Sequence, residues 1–168
     1  MARTSNRQHD SKAPSFAGHV SSSALASRIK KRNRARDTAP ELLLRRTLFR
    51  KGARYRLHAS DLPGKPDIVF RRARVAVFVD GDFWHGRDWK RRKRRLELGA
   101  NSAYWVKKIS SNRARDRRHS GALRRLGWRV VRFWESEMKT APEHHAEFII
   151  DLVTKGKEQA AARVHYGE

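Results

Sequence analysis

Two aspartates lie at the ends of neighbouring apolar runs, where they could share a metal ion. Asp67 begins the run DIVF and Asp80 ends the run VAVFVD, with a polar break at residues 71–74 between them. If the segment folds as a hairpin centred between Ala73 and Arg74, Asp67 faces Asp80 at a Cβ separation of about 5 Å. Two carboxylates at that distance repel by about 3 kcal/mol at an effective dielectric constant of about 20. Because a divalent cation between them removes this repulsion, the spacing predicts a metal site.

A histidine follows the second aspartate closely. His85 ends the string DGDFWH, which begins at Asp80. Imidazole has an unperturbed pKa of about 6.5, so its neutral form can accept a proton from an attacking water at neutral pH. A single histidine is more often an ordinary surface or core residue. Beside a pair of carboxylates, we interpret His85 as a general base.

A third aspartate is expected on the buried face of a long helix. At about 100° per residue, five positions of that helix fall in one narrow sector. They are Trp105, Ile109, Asn112, Asp116 and Leu123. A buried carboxylate needs a partner, because an unpaired one is costly. That partner is either one of the many arginines or His85, whose ring N–H the carboxylate of Asp116 would accept and so orient.

Glu41 has two candidate roles. The segment from Thr38 to Glu41 has the spacing of a capping box, which gives the glutamate a structural role at the start of the first helix. Helix N-termini also border many active sites. The same carboxylate is therefore a candidate for positioning a metal-bound water.

Phe83 and Trp84 are adjacent aromatic residues in a polar, basic stretch. Exposed neighbouring aromatics are unusual without a partner. Basic flanks favour stacking on bases or insertion into a base step. The alternative is that both rings pack under the first helix. Trp105, on the packed face of the long helix, is expected in the core on this reasoning alone.

The composition of this 168-residue chain indicates a polyanionic partner. It has 40 Lys and Arg residues against 17 Asp and Glu residues, a net charge of +23. Cations at this density favour nucleic acid, because each neutralised phosphate releases counterions. Arginine-rich coding bias is the alternative, but it does not explain the scarcity of acids. The absence of cysteine excludes disulfides and thiolate metal sites.

No apolar run approaches the roughly 20 residues of a membrane span. No secretory signal is recognisable at the N-terminus. We therefore expect a cytoplasmic protein that associates with the nucleoid and has no membrane contact.

The chain is predicted to form one α/β domain, residues 25–155, with a mixed central sheet flanked by helices. Residues 1–24 predict a disordered tail, residues 25–37 a basic arm suited to phosphates, and residues 156–168 a frayed tail. The predicted elements are a helix ending at Gly52, strands at 55–58, 67–70 and 75–80, a basic loop at 86–99, a helix at 102–126, a strand at 128–134 and a helix from Pro142.

Four ordered segments together resemble the very short patch repair (Vsr) DNA mismatch endonucleases. They are PDIVF, VFVDGDFWHG, NSAYWVKKISSNRARDRR and LGWRVVRFWE. The resemblance covers residues 27–140 and is specific because the segments occur in order at sensible spacing. It implies the restriction-endonuclease-like PD-(D/E)xK fold. It also implies an enzyme that uses Mg²⁺ to nick duplex DNA on the 5′ side of a thymine mispaired with guanine.

The resemblance assigns roles to residues of this chain by position. Asp67 matches the family's metal aspartate, and the main-chain carbonyl of Val79 matches its second metal contact. His85 matches the general base, while Glu41 and Asp116 match the first-helix glutamate and the long-helix aspartate. The three intercalating aromatics match Phe83, Trp84 and Trp105. That match favours a DNA contact over a core position for the last of these three.

Two departures from the family pattern matter. The best-studied form of the family has a structural zinc, whose ligand positions are here Asp82, Arg87, Trp89 and Ser136. These residues cannot build a cysteine and histidine site, so the zinc is predicted to be absent, with Trp89 packing in its place. A family histidine is replaced by Asp80, which brings the chain closer to a two-carboxylate nuclease and favours Asp80 as a further metal ligand.

The sequence therefore predicts a Mg²⁺-dependent endonuclease that acts on double-stranded DNA as a monomer. Other DNA repair proteins are a further expected class of partner. Two alternatives stay open: a nuclease of a restriction or defence system that ignores mismatches, and a non-catalytic DNA-binding module that has kept the fold. Binding that weakens steeply with salt is expected in all three cases.

Overall fold

The computed structural model describes residues 36–165, and the side chains of residues 36–158. Its strands are Arg56–Leu57 (β1), Ile68–Phe70 (β2), Val75–Asp80 (β3) and Arg129–Trp134 (β4). Its helices are Ala39–Arg50 (α1), Trp89–Glu97 (α2), Ser102–Arg125 (α3), Glu135–Thr140 (α4) and Pro142–His165 (α5). The strands form one sheet in the order β1-β2-β3-β4, antiparallel except for the parallel pair of β3 with β4. The predicted mixed sheet with flanking helices is confirmed.

β3 is covered on both faces, which explains its nearly uninterrupted apolar sequence. Val75 and Val77 pack among buried residues of α1, α4 and α5. Ala76 and Phe78 belong to a separate cluster with Leu123 of α3. Because side chains of a strand alternate between its faces, α3 covers one side of the sheet, and α1, α4 and α5 cover the opposite side. The last residue of β3 therefore faces α3.

The hairpin between β2 and β3 is tighter than predicted. Phe70 pairs with Val75, two residues away from the predicted register. Arg74 takes a φ of 50°, which lets the chain reverse within the four intervening residues. The predicted direct opposition of Asp67 and Asp80 is therefore wrong. A shift of two residues keeps each side chain on its own face, so both carboxylates still lie on the α3 side of the sheet.

The basic segment after β3 is a helix, and the loop prediction is wrong. α2 contains all six consecutive cations from Lys90 to Arg95, and none of its residues is buried. Like charges three and four residues apart oppose a helix. The high intrinsic helix propensity of Lys and Arg acts in the other direction. An ion pair of 3.5 Å between Lys93 and Glu97 adds to it.

The C-terminal part contains more helix than predicted. α3 agrees with its prediction and is followed by Gly127, whose φ of 78° suits a helix end. α4 has no counterpart in the sequence prediction. α5 continues to His165, beyond residue 156 where the C-terminal tail was predicted to begin. Good helix formers such as Lys, Glu, Gln and Ala fill this part of the sequence.

The predicted tail, residues 1–24, and residues 25–35 of the predicted basic arm lie outside the described residues. The last two residues of that arm, Arg36 and Asp37, are exposed. Between residues 36 and 165, no helix combines the length and the apolarity needed to cross a membrane.

Candidate active site

Asp67 lies immediately before β2, in an environment that disfavours its charge. Its Oδ2 accepts a hydrogen bond of 2.8 Å from the N–H of Val79. Burial raises the pKa of Asp67 to about 7, although the Val79 N–H opposes this rise. The negative charges of Glu41 and Asp80 raise it further, and the charge of Arg45 lowers it. An ionised Asp67 is therefore short of positive charge.

His85 lies in the segment after β3 and contacts α3. Its Nδ1 lies 2.7 Å from Oδ2 of Asp116, and Oδ1 of Asp80 lies 3.5 Å from the same nitrogen. Asn112 of α3 holds the segment in place, because its Nδ2 donates to the carbonyl of Trp84 at 2.9 Å. The predicted contact between His85 and Asp116 is confirmed. With Nδ1 as the donor, Nε2 keeps a lone pair that can accept a proton.

Asp116 is kept ionised by the groups around it. Burial by itself raises the pKa of this carboxyl. The hydrogen bond from His85, together with the charges of His85, Arg132 and Arg115, outweighs burial and holds the pKa below its ordinary value. A negative charge at this position favours the Nδ1-protonated tautomer of His85.

Arg132 of β4 joins two of the aspartates, and the sequence prediction missed it. Its Nε and Nη2 each donate to one oxygen of Asp80 at 2.6 Å. The same Nη2 lies 3.4 Å from Oδ1 of Asp116. Its Cζ lies 4.5 Å from the centre of the Phe78 ring. Burial lowers the pKa of Arg132, but the carboxylates of Asp80, Asp116 and Asp67 reverse this effect and raise it.

This ion pair competes with the predicted role of Asp80 as a metal ligand. Both carboxylate oxygens of Asp80 already accept hydrogen bonds from the guanidinium group of Arg132. The bidentate arrangement is among the strongest that a carboxylate makes in proteins. The sequence did contain a signal for it. Arg132 interrupts an apolar strand, and an arginine in such a place requires an acidic partner.

Glu41 lies in the first turn of α1, as predicted, but the predicted capping box is not formed, because no side chain of the described residues accepts a hydrogen bond from the N–H groups at the start of the helix. Its Oε2 accepts the N–H of Asp37 at 3.0 Å, and its Oε1 accepts the hydroxyl of Thr38 at 2.9 Å. Arg45 donates to the same glutamate at 3.1 Å and lies 3.0 Å from Nε2 of His58. Within residues 36–158, Asp37, Glu41 and His58 are close enough together to hold a metal ion. The guanidinium group of Arg45 already supplies the positive charge there.

The three aromatic residues predicted to enter DNA form one partly exposed cluster, called the aromatic cluster below. The ring centre of Phe83 lies 5.1 Å from that of Trp84 and 5.4 Å from that of Trp105. The two tryptophan rings are 6.0 Å apart. The cluster joins the segment after β3 to the first turns of α3, and none of the three residues is fully buried. The core position considered for Trp105 is therefore wrong.

Three of the four positions that match the family's zinc ligands form a polar network. Arg87 donates to the hydroxyl of Ser136, which donates to Oδ1 of Asp82 at 3.1 Å. Arg87 also lies 3.7 Å from Asp82 and 3.5 Å from Glu137. Trp89, the fourth position, contacts an arginine of α3 whose Cζ lies 5.3 Å from its ring centre. Ion pairs and hydrogen bonds thus tie the segment that carries the histidine to α4.

Comparison with known proteins identifies the family. The family model described as DNA mismatch endonuclease Vsr matches residues 20–91. A type II nicking enzyme of Neisseria meningitidis serogroup C is 43% identical over 106 residues, which are 63% of this chain and 70% of that protein. The chain belongs to the Vsr family. The resemblance drawn from the four sequence segments is confirmed.

Other Vsr relatives support the same conclusion. A type II nicking enzyme of Haemophilus parainfluenzae is 38% identical over 115 residues, covering 68% of this chain and 80% of that protein. The DNA mismatch endonuclease Vsr of Escherichia coli (strain K12) is 36% identical over 104 residues, covering 62% of this chain and 65% of that protein. This chain is therefore a DNA endonuclease of the Vsr family.

Proposed function

We propose that this protein uses Mg²⁺ to nick one strand of duplex DNA on the 5′ side of a thymine mispaired with guanine. The observation that carries the proposal is the 2.7 Å contact between Nδ1 of His85 and Oδ2 of Asp116, on the same side of the sheet as Asp67. An oriented base beside a carboxylate that lacks positive charge suits metal-assisted hydrolysis of a phosphodiester. The mixed sheet with acids at two strand ends also supports the restriction-endonuclease-like PD-(D/E)xK fold.

The donor atoms around Asp67 fit Mg²⁺. The carboxylate of Asp67 and the main-chain carbonyl of Val79 are hard oxygen ligands of the kind this ion prefers. Burial raises the pKa of Asp67 to about 7, and a nearby dication would offset that effect. Glu41, whose charge reaches Asp67, would hold a water of the ion. When bound, Mg²⁺ polarises the phosphate and lowers the pKa of coordinated water.

His85 acts as the general base in this proposal. Its Nε2 accepts a proton from the attacking water, while Asp116 accepts the hydrogen bond from Nδ1 and stabilises the positive charge that develops on the ring. Arg132 and Asp80 act through Asp116 and not on the substrate. The charge of Arg132 helps to keep Asp116 ionised, and Asp80 fixes the guanidinium group.

The aromatic cluster supplies the recognition step. Phe83, Trp84 and Trp105 are partly exposed and in mutual contact, so they can enter a base step as one wedge. Unstacking costs least at a mismatched pair. A wedge that pays a smaller unstacking cost at a mispaired thymine would therefore select that position.

A nicking assay on two duplexes tests the proposal. One duplex carries a single T·G pair, and the other has the matched T·A pair at the same place. With Mg²⁺ we expect a single-strand cut 5′ to the mispaired thymine, and no cut of the matched duplex or in EDTA. Asp67→Ala should abolish the cut, whereas Asp61→Ala, an exposed aspartate paired with Arg71, should retain it. Full nicking by Asp67→Ala would refute the assignment of the metal site.

The names of the relatives favour a second candidate function. Two of them are named type II nicking enzymes, which fits an enzyme of a restriction system that cuts without regard to mismatches. The same pair of duplexes separates the two functions. Equal cutting of the matched and mismatched duplexes would favour the second.

A further inference from the structure

A groove of about 520 Å³ lies between α2 and the segment after β3. Four arginines line it, namely Arg87, Arg91, Arg92 and Arg95. Phe83 of the aromatic cluster and Leu96 supply the apolar part of the lining, and Asp88 is its acidic residue. The lining therefore offers many hydrogen-bond donors and a net positive charge.

The arginines of the groove share one face of α2. At about 100° per residue, the lining residues of α2 span about 140° of arc. Lys90, Lys93 and Arg94 lie on the remaining arc of the same helix. There Lys93 pairs with Glu97 at 3.5 Å, and Nε of Arg94 donates to the carbonyl of Lys90 at 3.4 Å. The helix thus has a groove face and an outer face with similar numbers of cations.

Two of the four arginines have structural partners. Arg87 belongs to the polar network with Asp82 and Ser136. Arg92 donates from Nε to the carbonyl of Arg87 at 3.2 Å, and its Cζ lies 5.4 Å from the ring centre of Phe83. These contacts hold the side chains of Arg87 and Arg92 in place next to the aromatic cluster.

The other two arginines have no such partner in the part of the chain whose side chains are described. Among residues 36–158, no carboxylate pairs with Arg91 or Arg95, and α2 buries none of its residues. Two unpaired guanidinium groups at successive turns of one helix face repel each other. A dianionic or polyanionic ligand in the groove would remove that repulsion.

We propose that this groove binds the sugar-phosphate backbone of one DNA strand, next to the base step that the aromatic cluster enters. The inference rests on the proposed action on duplex DNA and adds the place where the backbone is held. Guanidinium groups match phosphate oxygens with two parallel hydrogen bonds. Since Arg92 contacts both the groove and Phe83, the backbone contact and the aromatic wedge share one rigid support. Phosphate contacts set the register of a protein on DNA but carry no sequence information.

Two double variants of the full chain with equal charge loss test the groove. Arg91→Ala/Arg95→Ala removes cations from the groove face, and Lys93→Ala/Arg94→Ala removes the same charge from the outer face. The dissociation constant for matched and T·G duplexes is measured over a range of salt concentrations in EDTA, so that cleavage does not interfere. Thermal unfolding of both variants checks that the exposed helix is intact.

We expect the groove variant to raise Kd by roughly tenfold or more and to reduce the slope of log Kd against log salt by about 1 to 2. The outer-face variant should change both quantities much less. The ratio of affinities for the two duplexes should stay unchanged in the groove variant.

Equal effects of the two double variants would overturn the proposed backbone contact, because the cations of α2 would then act only through their net charge and not through their position. Loss of the T·G preference with unchanged affinity for matched DNA would also overturn it, since the arginines would then contact bases. Absence of DNA binding by the unmodified chain would refute the proposed function itself.

Discussion

Two acidic regions at neighbouring strand ends are treated in opposite ways by this fold. At the end of β3, Asp80 shares the guanidinium group of Arg132 with Asp116, and the pKa of Asp116 lies below its ordinary value. Next to β2, burial raises the pKa of Asp67 to about 7, and neighbouring acids add to the rise. The first region contains its own counter-charge, whereas Asp67 forms no ion pair within residues 36–158. The positions of the buried arginines therefore indicate which carboxylate is available to an external cation. The number of acidic residues alone does not.

The largest expected effect comes from His85, the histidine that contacts Asp116 of the first region. His85→Ala should lower the nicking rate by about 10²- to 10⁴-fold, because the attacking water loses its proton acceptor. Single-turnover nicking of a T·G duplex measures this. His144→Ala, an exposed histidine on α5, is the matched control and should behave as the unmodified chain. A rate for His85→Ala close to that of the control would exclude the general-base role.

Breaking the arginine-compensated region should cost stability. Arg132→Met leaves two acids without their cation, and we expect the free energy of unfolding to fall by about 3–5 kcal/mol. Adding Asp80→Asn to this variant should recover much of the loss, because the unpaired charge is then removed. Urea unfolding measures both.

The control for that variant is the exposed ion pair between Arg71 and Asp61, whose atoms lie 2.7 Å apart. Arg71→Met should change the free energy of unfolding by about 0–1 kcal/mol. If Arg132→Met were equally mild, Asp80 and Asp116 would not depend on the internal cation.

A smaller effect is expected at the acid that orients the histidine. Asp116→Asn keeps the shape but removes the charge that stabilises imidazolium, and should lower the nicking rate by about 10- to 100-fold. The affinity for DNA should stay unchanged. Asp151→Asn, an exposed acid on α5 paired with Lys155, is the control. A fall in DNA affinity equal to the fall in rate would point to a contact with DNA instead.

The sequence predicted those features that depend on local pattern. The face of α3 was predictable because apolar residues recur at helical spacing, and this spacing placed Asp116 on the packed side with Ile109 and Leu123. The start of α1 was predictable because its signals, Pro40 and an acidic Glu41 in the first turn, are local. The family was recognisable from short ordered segments that hold most of the site.

The features that were missed depend on geometry or on distant partners. The hairpin register depends on the positive φ of Arg74. Sequence patterns do not predict a positive φ at a residue other than glycine. The partner of Asp80 is Arg132, far away in sequence and adjacent only because β3 and β4 pair in parallel. For α2, the repulsion between its cations opposes helix formation, and the helix propensity of Lys and Arg favours it. The sequence alone did not show which of the two effects is larger. From the residues alone, Trp105 was expected in the core, because its contact with Phe83 and Trp84 depends on which turn of α3 meets the segment after β3.

The central claim is that Asp67, which forms no ion pair within residues 36–158, takes its counter-charge from an external dication. The pKa of Asp67 is about 7 in the folded chain, against an ordinary value of 3.8. At pH values between these two, the folded chain therefore keeps a proton on Asp67 that the unfolded chain has released. In EDTA, the free energy of unfolding should therefore fall as pH rises from 3.8 to about 7, by about 4 kcal/mol for this group.

Thermal unfolding of the unmodified chain and of Asp67→Asn at pH 8, with EDTA or with increasing Mg²⁺, measures that claim without any DNA. We predict that Asp67→Asn is the more stable protein in EDTA and does not respond to Mg²⁺, whereas the unmodified chain gains stability as Mg²⁺ is added. If Asp67→Asn were less stable in EDTA, or gained as much stability from Mg²⁺ as the unmodified chain, the account would be contradicted.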